Sequence, residues 1–320
     1  MFFEGDSVVG WHLLLLLVVE VMIYGAIGRH MHVARGWSLG QAIALAVAVY
    51  VGVRVVLVAA EFVIARWQGS PIPDQYRVTW LAVFAMYLRE LAGWILMFTF
   101  VMPWWVSRQS VTRGEKSSTT SPQGPPILLV HGLACNRGNW FWFRRQLEQR
   151  GHRVYTMDCT PPFSRIAKYG DQIGYAVDEV LAATGATQVT LIGHSQGGLS
   201  IRAYLDRHGD EKVDKIITLG SPHQGTWLAR LAIGPNAFDM RIDGEWLTEL
   251  LALENKRSSA PYAKFTCVFT YHDNLVAPQL NGVLPGAQAI PLSGIGHLSL
   301  VLSRPVIGHV LKVLAAKRVV

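Results

Sequence analysis

Apolar and polar positions divide this chain into two unlike parts. Over the first 106 residues the apolar positions run almost without interruption in three blocks, 8–27, 39–65 and 80–106. Each block is long enough to cross a hydrocarbon core as a helix, which takes roughly 20 residues. Each carries only one or two charges: Glu20 in the first, Arg54 and Glu61 in the second, Arg89 and Glu90 in the third. The pattern predicts an all-α region of three transmembrane helices over 1–106. The first block follows MFFEGDS, which is acidic rather than basic, and its apolar run is long. It is therefore expected to stay as an anchor and not to be removed as a signal peptide.

Charges inside a membrane helix call for partners. If the three helices run antiparallel at about 1.5 Å per residue, Arg54 and Glu90 fall at similar depth. An Arg54–Glu90 pair is therefore expected. Arg29, Arg35, Arg108, Arg113 and Lys116 flank one side of the helices, and Arg66 and Arg77 the other. The excess of basic residues places the N-terminus outside and the rest of the chain in the cytoplasm.

The stretch 107–126, SRQSVTRGEKSSTTSPQGPP, has no apolar period and is rich in Ser, Thr, Pro and Gly, so it reads as a linker. Beyond it the pattern changes. Short apolar runs at 127–130, 152–159, 188–193, 213–220, 264–271 and 288–292 predict strands. Helical spacing appears between them at 139–150, 166–183 and 196–208, and a last helix is expected over 298–316. Strands alternating with helices predict a mostly parallel sheet with helices on both faces, an α/β domain over 127–320. Residues 223–260 interrupt the alternation with a long, largely helical insertion whose apolar spacing predicts a cap or lid.

Composition sharpens this division. The chain of 320 residues is 51% hydrophobic, and its formal net charge is +7. Its basic residues are scattered and form no run of five or six, which argues against nucleic-acid binding and for contact with anionic membrane lipids. Cys135, Cys159 and Cys267 are few and widely spaced. They offer no CxxC or Cys/His pattern for a metal and read as reduced, partly buried thiols.

Candidate chemistry rests on a pattern that occurs twice. GWSLG at 36–40 and GHSQG at 193–197 both fit G-x-S-x-G. Ser38 follows no strand and opens an apolar helix, where a serine serves as a cap. Ser195 lies between the strand VTLIG and a helix beginning at Gln196, the strand–turn–helix setting of a nucleophile elbow. The turn demands small neighbours, and Gly193, Gly197 and Gly198 supply them beside His194. The helix start also aims backbone amides at the serine oxygen.

On LLVHGL before the first helix of this domain, GHSQGG at the elbow and GSPHQGT after the next strand, the chain resembles the α/β-hydrolase family, and within it the bacterial lipases. The resemblance covers about residues 125–315. It implies the α/β-hydrolase fold and a triad in the order Ser, acid, His, with Ser195 as nucleophile, Asp273 as acid and His297 as base. It also implies an oxyanion hole made by the backbone amides of Leu133 and Gln196, and chemistry that needs no cofactor; a structural calcium, carried by some such lipases, is not assigned to any residue here. His131 is expected to brace its loop. The aromatic cluster Trp140, Phe141, Trp142 and Phe143 is expected near the acyl site or the lipid interface.

The expected activity is hydrolysis of lipid-like acyl esters by an enzyme anchored in the cytoplasmic membrane, with lipid or long-chain ester substrate and membrane lipids as its partners. No protein partner can be inferred from the sequence. A membrane acyltransferase using the same acyl-enzyme, and a non-catalytic scaffold with a degenerate domain, are the alternatives.

Overall fold

The computed structural model describes residues 8–104, 124–257 and 262–316. The expected linker falls mostly outside these residues. Three N-terminal helices come first: α1 (Val8–Arg35), α2 (Leu39–Trp67) and α3 (Trp80–Ile95). The last continues through a wider turn, Leu96–Val101, and a tight turn, Met102–Trp104, where Pro103 rules out an ordinary helical hydrogen bond. All three are long and apolar enough to cross a membrane. Leu15, Val21, Val56, Val63, Phe84 and Phe100 point outward from them.

Ser38 caps α2. Its side chain accepts from the Gln41 amide, and the Gln41 side chain accepts from the Ser38 amide, a closed capping box. That accounts for the first of the two serine motifs.

Arg54 pairs with Glu20 of α1 and not with Glu90, and it lies over the Tyr50 ring at 3.8 Å. The expected pairing fails because Glu90 faces away from the helix bundle, toward the domain that follows.

That domain is built on six parallel strands in the order β2-β1-β3-β4-β5-β6. They are β1 (Ile127–Val130), β2 (Val154–Met157), β3 (Val189–His194), β4 (Val213–Leu219), β5 (Phe265–Thr270) and β6 (Gln288–Leu292). Successive side chains of a strand point to opposite faces. Ile127 and Leu129 accordingly join a core with α4 (Phe141–Glu148) and α9 (Arg304–Ala315), and Leu128 and Val130 join one with α5 (Ile166–Thr184) and α6 (Gln196–His208). Met97 and Met102 of the α3 segment are fully buried in the first core. The α3 segment, with Leu13 of α1 packed beside it, therefore shares a core with the sheet domain.

The expected last helix over 298–316 is broken. Leu298–Leu302 forms a tight turn, Ser303 is extended, and α9 starts at Arg304. Pro305 has no amide hydrogen, and its ring would clash with the carbonyl four residues earlier, so one continuous helix cannot pass this point.

The insertion between β4 and β5 holds a short turn, Trp227–Arg230, then α7 (Pro235–Asp239) and α8 (Glu245–Arg257). Ala229, Met240 and Leu247 pack against Ile166, Leu199 and Ala203 of α5 and α6, while Leu231, Ile233 and Phe238 stay exposed.

Candidate active site

Strand β1 lies between β2 and β3, so the chain order reverses at β1/β3. Loops leaving the C-terminal ends of those two strands diverge there and open a crevice. The loop after β1 carries His131, Gly132 and Leu133, and the loop after β3 carries Ser195.

Ser195 has φ 54 and ψ −126, a conformation costing about 1–3 kcal/mol for a residue with a side chain. Its surroundings hold it there. The Ser195 amide donates to Leu219 O at 2.9 Å, and Ser195 O accepts from the Gly198 amide at 3.1 Å. A side chain on Gly197 would place its Cβ 2.2 Å from Val130 O, so the turn can sit this close to β1 only with glycine there.

His297 follows β6, and its Nδ1 lies 2.9 Å from both carboxylate oxygens of Asp273, which follows β5. Asp273 Oδ1 also accepts from the amides of Leu275 at 2.9 Å and Val276 at 2.8 Å. Both residues of the pair are buried. Burial by itself would lower the His297 pKa, but the Asp273 carboxylate, helped by Glu90 and Glu61, raises it above the ordinary histidine value.

Histidines around the pair brace it. His194 Nε2 donates to His297 O at 3.2 Å, and the two rings lie 4.8 Å apart. Burial, with a further push from His297, lowers the His194 pKa well below its usual range, so it stays neutral. His131 Nε2 accepts from the Cys159 amide at 3.0 Å, which ties the loop after β1 to the loop after β2. Burial lowers its pKa too.

Leu133, Ser195 and His297 line one cavity of about 260 Å³. Its walls are mostly apolar: Trp94 and Phe98 from the α3 segment, Leu228 and Met240 from the insertion, and Val276. Gln196 opens α6, and a first-turn amide has no partner within its own helix. The Gln196 side chain accepts from Asn236 Nδ2 at 2.8 Å, which links the elbow to the insertion. A larger cavity of about 790 Å³ between α2, α3 and residues 271–279 touches Asp273 but is not lined by Ser195.

The aromatic cluster does not line the acyl site, the first of its two expected positions. Trp140 and Phe143 are fully buried in the core below β1, and Phe141 and Trp142 pack against that core, so none of the four lines the cavity. Phe143 faces the sheet from α4 and Trp140 from the turn before it, while Phe141 and Trp142 stay half-buried. Cys135, Cys159 and Cys267 are free and buried, and burial pushes the Cys135 thiol up to about 12.

Three neighbours of His297 escaped the sequence reading: Asn274, Glu61 and Glu90. The signal for the last two was present, since each is a carboxylate within an apolar helix.

Comparison with known proteins bears on the fold around this site. Residues 125–241 match the family model described as the alpha/beta hydrolase fold. A triacylglycerol lipase of Pseudarthrobacter phenanthrenivorans is 38% identical over 116 residues, covering 32% of this chain and 35% of the relative. A triacylglycerol lipase of Vibrio cholerae is 32% identical over 135 residues, covering 39% and 43%. The chain thus spans less than half the length of these curated relatives. The mature lipase BlEst2 of Bacillus licheniformis superposes with a TM-score of 0.57 at 19% identity, covering 64% of this chain and 98% of that one.

Proposed function

This chain contains an α/β-hydrolase domain, and from that premise we propose that it is a membrane-anchored serine ester hydrolase that cleaves lipid-like acyl esters. One observation carries the reading. A serine at a strained elbow shares a cavity with a histidine whose Nδ1 lies 2.9 Å from a buried carboxylate.

A serine hydroxyl is a weak nucleophile until a base takes its proton. Asp273 holds Nδ1–H of His297, which leaves Nε2 free to accept that proton. Ser195 Oγ then bonds to the ester carbonyl carbon. The carbonyl oxygen becomes an oxyanion, and the Leu133 and Gln196 amides stabilise it. The carbon–oxygen bond to the alcohol breaks, and the alcohol leaves with the proton from His297. Water next attacks the acyl-enzyme, giving its proton to His297. The acid is released, and the proton returns to Ser195.

The apolar walls of the cavity suit an acyl chain. Three helices fit for a bilayer, and the exposed Leu231, Ile233 and Phe238 of the insertion, favour a substrate drawn from a membrane. The reading takes the insertion as a lid over that route.

The test is acid release from 4-nitrophenyl and glycerol esters of short and long acyl chains by detergent-solubilised protein, with fluorophosphonate labelling in parallel. Long-chain hydrolysis that disappears in Ser195→Ala supports the reading. Labelling at Ser195 without acid release from any ester refutes hydrolysis and points to an acyl acceptor other than water.

A further inference from the structure

Glu61 and Glu90 play no part in the chemistry above, yet both reach the segment that carries His297. Each lies on a helix apolar and long enough for a membrane. Among the described residues neither pairs with a lysine or arginine. Glu90 is buried and Glu61 half-buried, and a carboxylate drawn out of water without a cation needs hydrogen-bond donors to offset its lost hydration.

Those donors come from the residues around His297. Glu90 is 1% exposed. Its Oε1 accepts from the Leu298 amide at 2.6 Å, and its Oε2 accepts from the Ser299 amide at 2.9 Å and the Ser299 hydroxyl at 2.6 Å. A Cβ on Gly296 would lie 2.5 Å from Glu90 Oε2, so the chain passes directly against the carboxylate. Glu61 Oε2 accepts from Asn274 Nδ2 at 2.8 Å, and Asn274 Oδ1 accepts from the His297 amide at 2.8 Å. The backbone is therefore fixed on both sides of His297, through Asn274 before it and Glu90 after it, and both anchors lead to α2 and α3.

We propose that Glu90 and Glu61 are positioning residues for His297, so that the two membrane-length helices complete the catalytic site and the hydrolase domain works only with them docked. This rests on His297 being the base. The two carboxylates have separable roles. Three donors converge on Glu90, and an amide there would present N–H to N–H and leave at least one donor unpaired. An amide at position 61 can still accept from Asn274 through its oxygen, so Glu61→Gln removes charge while keeping the bond.

Asp273 and His194 also face the His297 ring, from the ends of β5 and β3. Removing a negative charge nearby destabilises the imidazolium. The acid limb of activity then moves to lower pH.

The experiment uses the full chain in detergent. It measures the rate of Ser195 labelling by a fluorophosphonate, and kcat and KM for a 4-nitrophenyl ester, between pH 5 and 9. Glu90→Gln is expected to lower the labelling rate and kcat on the order of 10²-fold with little change in KM, as for a slightly misplaced catalytic group. Glu61→Gln is expected to keep most of kcat and shift the acid limb downward. Asn274→Ala is expected to lower kcat as Glu90→Gln does.

Wild-type kcat and an unmoved acid limb in these variants overturn the proposal. If Glu90→Gln does not fold, Glu61→Gln and Asn274→Ala decide it by the same criteria. If the wild type labels but releases no acid, the hydrolase reading falls, and the labelling rates still decide the proposal. A wild type that does not label overturns both.

Discussion

Arg202 of the elbow helix and Glu254 of the insertion form a buried two-point pair, Nε to Oε1 at 2.9 Å and Nη2 to Oε2 at 2.6 Å. The same guanidinium donates to His223 O at 2.6 Å, and Tyr262 donates to Glu254 at 2.7 Å. The pair bolts the insertion to the helix that carries Ser195 at its start. Removing one partner strands a charge in the core, which costs about 3–5 kcal/mol. Glu254→Ala is expected to lower Tm by about 6–20 °C, at roughly 2–4 °C per kcal/mol. A shift of less than a couple of degrees in a thermal melt would sink the idea that this pair secures the cap.

Asp273 accepts from His297 and from two backbone amides at once. An asparagine there offers a single acceptor oxygen and favours the wrong histidine tautomer. Asp273→Asn is expected to leave the fold intact and to lower kcat by roughly 10⁴-fold, the size seen when a triad acid is converted to its amide. Steady-state ester hydrolysis measures this, and retention of a tenth or more of wild-type kcat speaks against the assigned role.

The two G-x-S-x-G motifs separate by their products. Ser195→Ala is expected to remove ester hydrolysis and fluorophosphonate labelling. Ser38→Ala removes one side of the capping box on α2, which is worth about 1 kcal/mol, and leaves kcat unchanged. Loss of labelling in Ser38→Ala would reverse the assignment.

Burial lowers the pKa of His131, His194 and His223 in the folded chain. Unfolded, each takes up a proton near about 6.5. Below that pH the unfolded state binds more protons at these three sites, so stability falls as pH drops from about 6.5 toward their folded values. His297, raised in the fold, works the other way and adds stability at acid pH that fades as pH rises through its folded value. His272, also lowered by burial, acts with the first three, so four histidines oppose one and their balance is expected to make Tm lower at pH 5.5 than at pH 7.5. A melt that is more stable at pH 5.5 contradicts this balance.

Much of this protein was written in short windows of sequence. The period of apolar positions marked the three long helices, the alternation of strands and helices, and the helical insertion, because each depends on residues a few positions apart. The elbow was legible for the same reason: a strand, a serine among glycines and a helix start lie within about a dozen residues. The break at Pro305 was equally local and was passed over, because the apolar spacing on either side continues through it.

What surrounds the site was decided by tertiary structure. Depth alone matched Arg54 to Glu90, and sequence spacing cannot say which way a helix turns when a whole domain packs against one of its faces. Once the α3 segment shares a core with the sheet through Met97 and Met102, Glu90 faces residues more than 200 positions further along the chain, and Arg54 takes Glu20. Trp140 and Phe143 went into the core for a similar reason, since an aromatic cluster fits an acyl site or a core equally well by composition. A buried carboxylate must find donors, but the sequence does not say whose. Only the packing of the two halves settles that the donors are the backbone amides beside His297.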